Sequence, residues 1–134
     1  MKKHPIFNSS CTHYDNESEP TILQIQKELT LDELIGFCKG NVIKYKKRYG
    51  KKEGENLENN IDKQTTYRYG ALFYRLFKIF KAHSEEHEIL IKIWNANITE
   101  KEARDYLAKN KAAAENKKMC YVIVCDILEY LLRS

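Results

Sequence analysis

Residues Tyr121–Leu128 read YVIVCDIL, and how they are read decides the fold class. Val and Ile are β-branched and suit an extended, pleated backbone. This is the one run in the chain with a claim to be a strand. At this length a buried helical turn and a strand look alike. The helix formers on either side decide for helix, and with that choice the whole chain reads as all-α, a small helical bundle.

Upstream of that run, Thr99–Glu102 (TEKE) is a capping box, in which the Thr hydroxyl accepts from the third amide and the Glu reaches back. From it a helical stripe runs through Ala103, Tyr106, Leu107, Ala113, Ala114, Cys120, Val124, Ile127, Leu128 and Leu131. The pattern is expected to be one long C-terminal helix, with a break near Asn110–Asn116 as the alternative. A single piece of about 30 residues would span about 45 Å. That is long for so small a core, and its outer apolar residues would need cover from a partner. A homo-oligomer is therefore expected.

Further upstream, Ser84 can cap a helix holding Ile89, Leu90, Ile93 and Trp94, which Asn95–Asn97 end. A helix from Leu57 or Ile61 to Phe80 carries Tyr69, Leu72, Phe73 and Leu76. A second capping box, Thr30–Glu33 (TLDE), opens a long helix with Leu31, Leu34, Ile35, Cys38, Val42, Tyr45 and Tyr49 on its inward side, ending near Gly50–Gly54. Gly36 and Gly40 lie inside it and cost roughly 1 kcal/mol each relative to Ala. Another helix or a ligand is expected close to the backbone there. Residues 1–19 are polar and read as an irregular arm, and 20–134 as a single helical domain.

The chain has 134 residues, 43% hydrophobic and 31% charged, the scale of one domain. Its four cysteines form no CxxC pair and read as reduced thiols. No apolar run is long enough to span a bilayer, and no apolar targeting segment opens the sequence.

The net charge of +4 is unevenly spread. Residues 39–52, KGNVIKYKKRYGKK, hold seven Lys or Arg and no acid, so the remainder is net negative. A local basic stripe points to a phosphate-bearing partner. On a helix Asn41, Lys44, Arg48 and Lys51 or Lys52 share one side, beside Tyr45. Lys and Arg neutralise phosphate, Asn can read a base edge or a ribose hydroxyl, and Tyr can stack on a base. A solvated helix end is the competing explanation, since the macrodipole favours cations there.

The His13-Tyr14 pair, the stretch GNVIKYKKR from Gly40 to Arg48, and Leu57, Lys63 and Tyr67 further on together resemble the SaV-like family of small phage proteins, a domain of unknown function. The resemblance covers residues 11–67, about half of the chain. One relative in that family is a phage nucleotide kinase without a P-loop. The resemblance implies a phage origin, a nucleotide ligand and the cytoplasm of an infected bacterial host. It picks out His13, Tyr14, Asn41, Lys44, Tyr45 and Arg48 as binding residues, to which the basic stripe adds Lys52. The family tends to carry lysines after the position of Leu57, where this chain has Glu58, Asn59 and Asn60. If those lysines hold phosphate for transfer, transfer is in doubt here.

Other motifs are weaker. No GxxxxGK[ST] is present. His83–His87 (HSEEH) fits the H-x-x-E-H metalloprotease pattern, but Ser84 as helix cap puts His83 outside the helix. No catalytic residue, metal or cofactor is assigned. The expected function is capture, without chemistry, of a nucleotide or cyclic-nucleotide-type signal of bacterial defence. A nucleoside monophosphate kinase is the first alternative, and non-specific nucleic-acid binding the second. No membrane partner is expected.

Overall fold

The computed structural model describes residues 4–7, 20–51 and 53–133. Six helices follow in order: α1 (Thr21–Glu28), α2 (Leu31–Arg48), α3 (Leu57–Leu76), α4 (Glu85–Trp94), α5 (Glu100–Ala114) and α6 (Met119–Arg133). No strand occurs among the described residues. YVIVCDIL is helical. Its buried residues are Val124, Cys125, Ile127 and Leu128, and with Cys120 one turn earlier they form the stripe of a 3.6-residue period rather than an alternation.

Both capping boxes form as read. The Thr30 hydroxyl accepts from the Glu33 amide at 3.2 Å, and the Glu33 carboxylate accepts from the Thr30 amide at 2.9 Å. Thr99 and Glu102 do the same at the start of α5. Ser84 caps α4 by accepting from the His87 amide. Each cap contributes about 1 kcal/mol and fixes where its helix begins.

The single long C-terminal helix is overturned, and the alternative of two helices broken near Asn110–Asn116 is close to what is found. The chain leaves the helix at Ala114, passes through a tight turn at 115–118 and returns as α6 against α5. No Gly or Pro marks the break. The energetics explain it: a straight helix would carry α6 off the domain. Folding back buries Cys120, Val124, Cys125, Ile127 and Leu128. At about 1.5–3 kcal/mol per large apolar side chain, that exceeds the few backbone hydrogen bonds lost, each worth about 1 kcal/mol net. The argument for an oligomer from an uncovered helix falls with it.

One core joins the six helices. Phe73, Tyr74 and Leu76 of α3 lie at its centre, with Leu34 and Cys38 of α2, Leu90 and Ile93 of α4, Tyr106 of α5, and Val124, Ile127 and Leu128 of α6 around them. Ile6 is fully buried in the same core. Residues 4–7 are irregular, yet they belong to the packed domain rather than lying apart from it. His4 anchors them. Its Nδ1 accepts from the Ile6 amide at 3.2 Å, which leaves Nε2–H to donate to Gln26 Oε1 at 3.1 Å. Tyr74 donates to the same oxygen at 2.9 Å, and Gln26 Nε2 donates to the Trp94 carbonyl at 2.9 Å. Burial pushes the His4 pKa down to about 3, so the ring is held neutral. Cys38, Cys120 and Cys125 are free, buried thiols. Among the described residues no helix is long and apolar enough to cross a membrane.

Candidate functional site

Helices α2 and α3 form an antiparallel hairpin. Asp32 at one end pairs with Lys78, Cys38 at the middle faces Gly70, and Tyr45 near the other end lies against Lys63 and Tyr67. The turn between them uses left-handed backbone at Gly50 (φ 74°) and Gly54 (φ 73°), a conformation that glycine enters without steric cost. This register brings the basic end of α2 over the first turns of α3.

Tyr45 is the centre of that junction. Its ring has Lys44 Nζ at 4.6 Å, Lys63 Nζ at 5.3 Å and Arg48 Cζ at 6.0 Å from the centroid. Tyr67 lies nearly parallel to it, 14° between planes and 6.0 Å between centroids. Phe37 closes the far side of Tyr67 edge-on at 5.8 Å. Among the described residues, no carboxylate lies within ion-pair distance of Lys44, Arg48 or Lys63. Three cations with no acidic partner among the described residues, gathered about one aromatic ring, are an arrangement that can attract an anion. The α2 macrodipole favours Arg48 in the last turn by about 0.3–1 kcal/mol. It gives no account of Lys63, which sits near the N-terminal end of α3.

A buried polar bracket holds the junction from beneath. Asn60 Nδ2 donates to the Tyr45 carbonyl at 3.1 Å and to Glu55 Oε1 at 2.6 Å, and its Oδ1 accepts from Gln64 Nε2 at 2.7 Å. Glu55 Oε2 accepts from the Gly50 amide at 2.9 Å. Asn60 and Gln64 are buried. The bracket ties the end of α2, the turn and the start of α3 together. Asn60, one of the residues standing where the SaV-like pattern tends to have lysines, is thus occupied in holding the hairpin.

The other residues singled out in the sequence fare differently. Lys44, Tyr45 and Arg48 come together. Asn41 is half-buried one turn before Tyr45, and its side-chain amide donates to the Phe37 carbonyl at 2.8 Å. That leaves its carbonyl oxygen and one N–H to offer. His13, Tyr14 and Lys52 lie outside the described residues. Tyr49 is not inward: α2 ends at Arg48, Tyr49 is the C-cap, and it is exposed. Lys51 lies in the turn beyond the helix, so the proposed row does not continue through it. Among the described residues nothing stands within 4 Å of where a Cβ on Gly36 or Gly40 would lie, so the close approach of another helix is not found there. It occurs instead at Gly70, where a Cβ would stand 2.5 Å from Phe7 Cζ and 3.0 Å from Cys38 Sγ. His83 precedes the Ser84 cap with φ 72°, and His87 packs edge-on against Phe77 at 5.8 Å. Among the described residues no cluster of three potential metal ligands occurs.

Lys63, Tyr67 and Asn60 are the residues that helical spacing on α2 misses. Lys63 and Tyr67 stand in the resemblance to the SaV-like family, but their place beside Tyr45 follows only from the hairpin register.

Residues 6–68, a little under half of the chain, match the family model DUF3310. The family is described as a protein of unknown function. The matched region holds Asn41, Lys44, Tyr45, Arg48, Asn60, Lys63 and Tyr67, and stops just short of Gly70. No curated protein and no solved structure matches the chain.

Proposed function

We propose that the α2–α3 hairpin captures a nucleotide, with Lys44, Arg48 and Lys63 on its phosphates and Tyr45 against its base. The observation that carries this reading is the convergence of three cations on one tyrosine ring, without acidic partners among the described residues. Charge-assisted contacts to phosphate are the strong class of hydrogen bond. Asn41 supplies an acceptor one turn away, suited to a ribose hydroxyl or a base amine.

Capture without chemistry is preferred over phosphoryl transfer. Asn60 is buried in the bracket, and Glu55 is bound to the same amide and to Gly50. These groups serve the hairpin's shape. The phage origin implied by the SaV-like resemblance makes a nucleotide signal of bacterial defence the ligand class placed first. Native mass spectrometry of the protein with a nucleotide library tests this. A retained ligand whose mass is unchanged after heat release supports capture. A retained nucleotide that returns with altered phosphate content means transfer, and no retained nucleotide removes the reading.

A second reading has its own support. Lys39, Lys46, Lys47 and Lys51 are also exposed and make no ion pair among the described residues. A nucleic-acid backbone would engage this wider set. It predicts a shift of a labelled single strand whose affinity falls with salt at a log–log slope of about −0.7 per phosphate neutralised.

A further inference from the structure

Phe7 lies along one face of α3. It stands 5.9 Å from the Tyr67 ring and 6.1 Å from the Tyr74 ring, centroid to centroid. Tyr67, Gly70 and Tyr74 follow at three- and four-residue steps, so they form one helical face. Gly70 is the notch in it, because any side chain there would occupy the space Phe7 fills. Neighbouring Ile6 is fully buried, and His4 is locked to α1, α3 and α4 through Gln26, Tyr74 and Trp94. The segment is a hook with two buried anchors and one aromatic wedge.

The wedge touches the candidate site through one residue. Among the described residues three rings stand around Tyr67: Phe7 tilted at 57°, Phe37 edge-on at 82° and Tyr45 nearly parallel at 14°. Remove Phe7 and the space over Gly70, one turn along α3 from Tyr67, empties. Side chains around a new cavity relax into it where they can. Tyr67 has an open notch next to it and would turn from Tyr45.

We infer that Phe7 is a positioning residue for the ligand's base: seated in the Gly70 notch, it holds Tyr67 parallel to Tyr45 and so sets the aromatic half of the site. The phosphate half, Lys44, Arg48 and Lys63, does not depend on it. This rests on the reading of the hairpin as a nucleotide site.

Calorimetric titration with adenosine diphosphate and with inorganic pyrophosphate separates the two halves. Wild type is expected to bind both, the nucleotide more tightly. Phe7→Leu stays apolar but is too small to fill the notch, so it opens space beside Tyr67. It should weaken the nucleotide roughly five- to a hundredfold, the usual range for a lost base–aromatic stack, and leave pyrophosphate affinity within about twofold. Tyr67→Leu should give the same split, and it keeps the test decisive if the Phe7 variant fails to fold. Lys44→Ala should weaken both ligands together. Equal losses for both ligands in Phe7→Leu and Tyr67→Leu, or no loss for either, would overturn the positioning role and leave the site standing. So would a wild type that binds the nucleotide no better than pyrophosphate. A wild type that binds neither removes the site, and this role with it.

Discussion

Two parts of the surface carry abundant charge, and they use it differently. Across α4, α5 and α6, cations have acids beside them. Lys92 pairs with Glu102, Arg104 with Glu100 at 2.8 Å, Lys109 with Glu85 at 3.3 Å and Lys111 with Glu129 at 3.1 Å. At the α2–α3 junction Lys44, Arg48 and Lys63 have, among the described residues, tyrosine and no acid. Paired surface charges keep a helix solvated and contribute little to stability. Unpaired cations crowded about one ring repel one another, which offsets the little that the ring and the helix dipole give them. Their arrangement makes sense when an anion arrives. The difference teaches that local charge density in the sequence says less than whether the fold brings acids to meet it.

The bracket beneath the junction should show the largest effect on stability. Asn60→Ala removes an amide that serves Tyr45, Glu55 and Gln64, leaving buried groups unmet at about 1–3 kcal/mol. Urea denaturation should give a loss near the upper end of that range, together with weaker ligand binding. A loss below about 0.5 kcal/mol would mean that the junction is held by packing alone.

Next in size is acid sensitivity from the hook. The unfolded His4 titrates near its ordinary pKa of 6.5, while burial pushes the folded one down to about 3. The unfolded chain therefore binds the proton first. His4's share of stability is intact above about pH 6.5 and is lost as pH falls towards 3, by up to about 1.4 kcal/mol per pH unit. Urea midpoints at pH 7, 6 and 5 should fall in wild type and fall less steeply in His4→Gln.

The smallest effect sharpens the contrast between the two surfaces. Lys111→Ala breaks a partly exposed ion pair and should cost less than about 1 kcal/mol. Lys63→Ala relieves repulsion and should leave the protein without ligand as stable as before, or slightly more so. If thermal melts show Lys63→Ala to be the costlier of the two, the charge at the junction serves the fold.

Much of this fold is legible from short-range chemistry. Thr30, Ser84 and Thr99 announce their helices because a cap is a contact within four residues. YVIVCDIL is legible as helix because its apolar period outlasts the β-branched run. The break at 115–118 is legible only as an alternative near Asn110–Asn116, since no Gly or Pro causes it; what decides it is the burial of α6 in the shared core. The site divides in the same way. Lys44, Tyr45 and Arg48 are neighbours on one helix, so spacing finds them. Lys63, Tyr67 and Asn60 reach Tyr45 only through the antiparallel register of α2 and α3. The hook is hidden for another reason: His4, Ile6 and Phe7 sit in a polar lead-in, and Gly70 looks like a defect in a helix until Phe7 is seen to fill the space beside it.

The central claim is that the junction's cations are placed for an anion and not for the fold. Thermal unfolding of wild type and of the Lys44→Ala/Arg48→Ala variant, each with and without excess pyrophosphate, addresses it most directly. A ligand at a hundred times its dissociation constant stabilises by about 2.7 kcal/mol. The account predicts that upward shift in wild type, none in the variant, and a ligand-free variant that melts no lower than wild type. A variant that melts well below wild type, yet still rises with pyrophosphate, would contradict it.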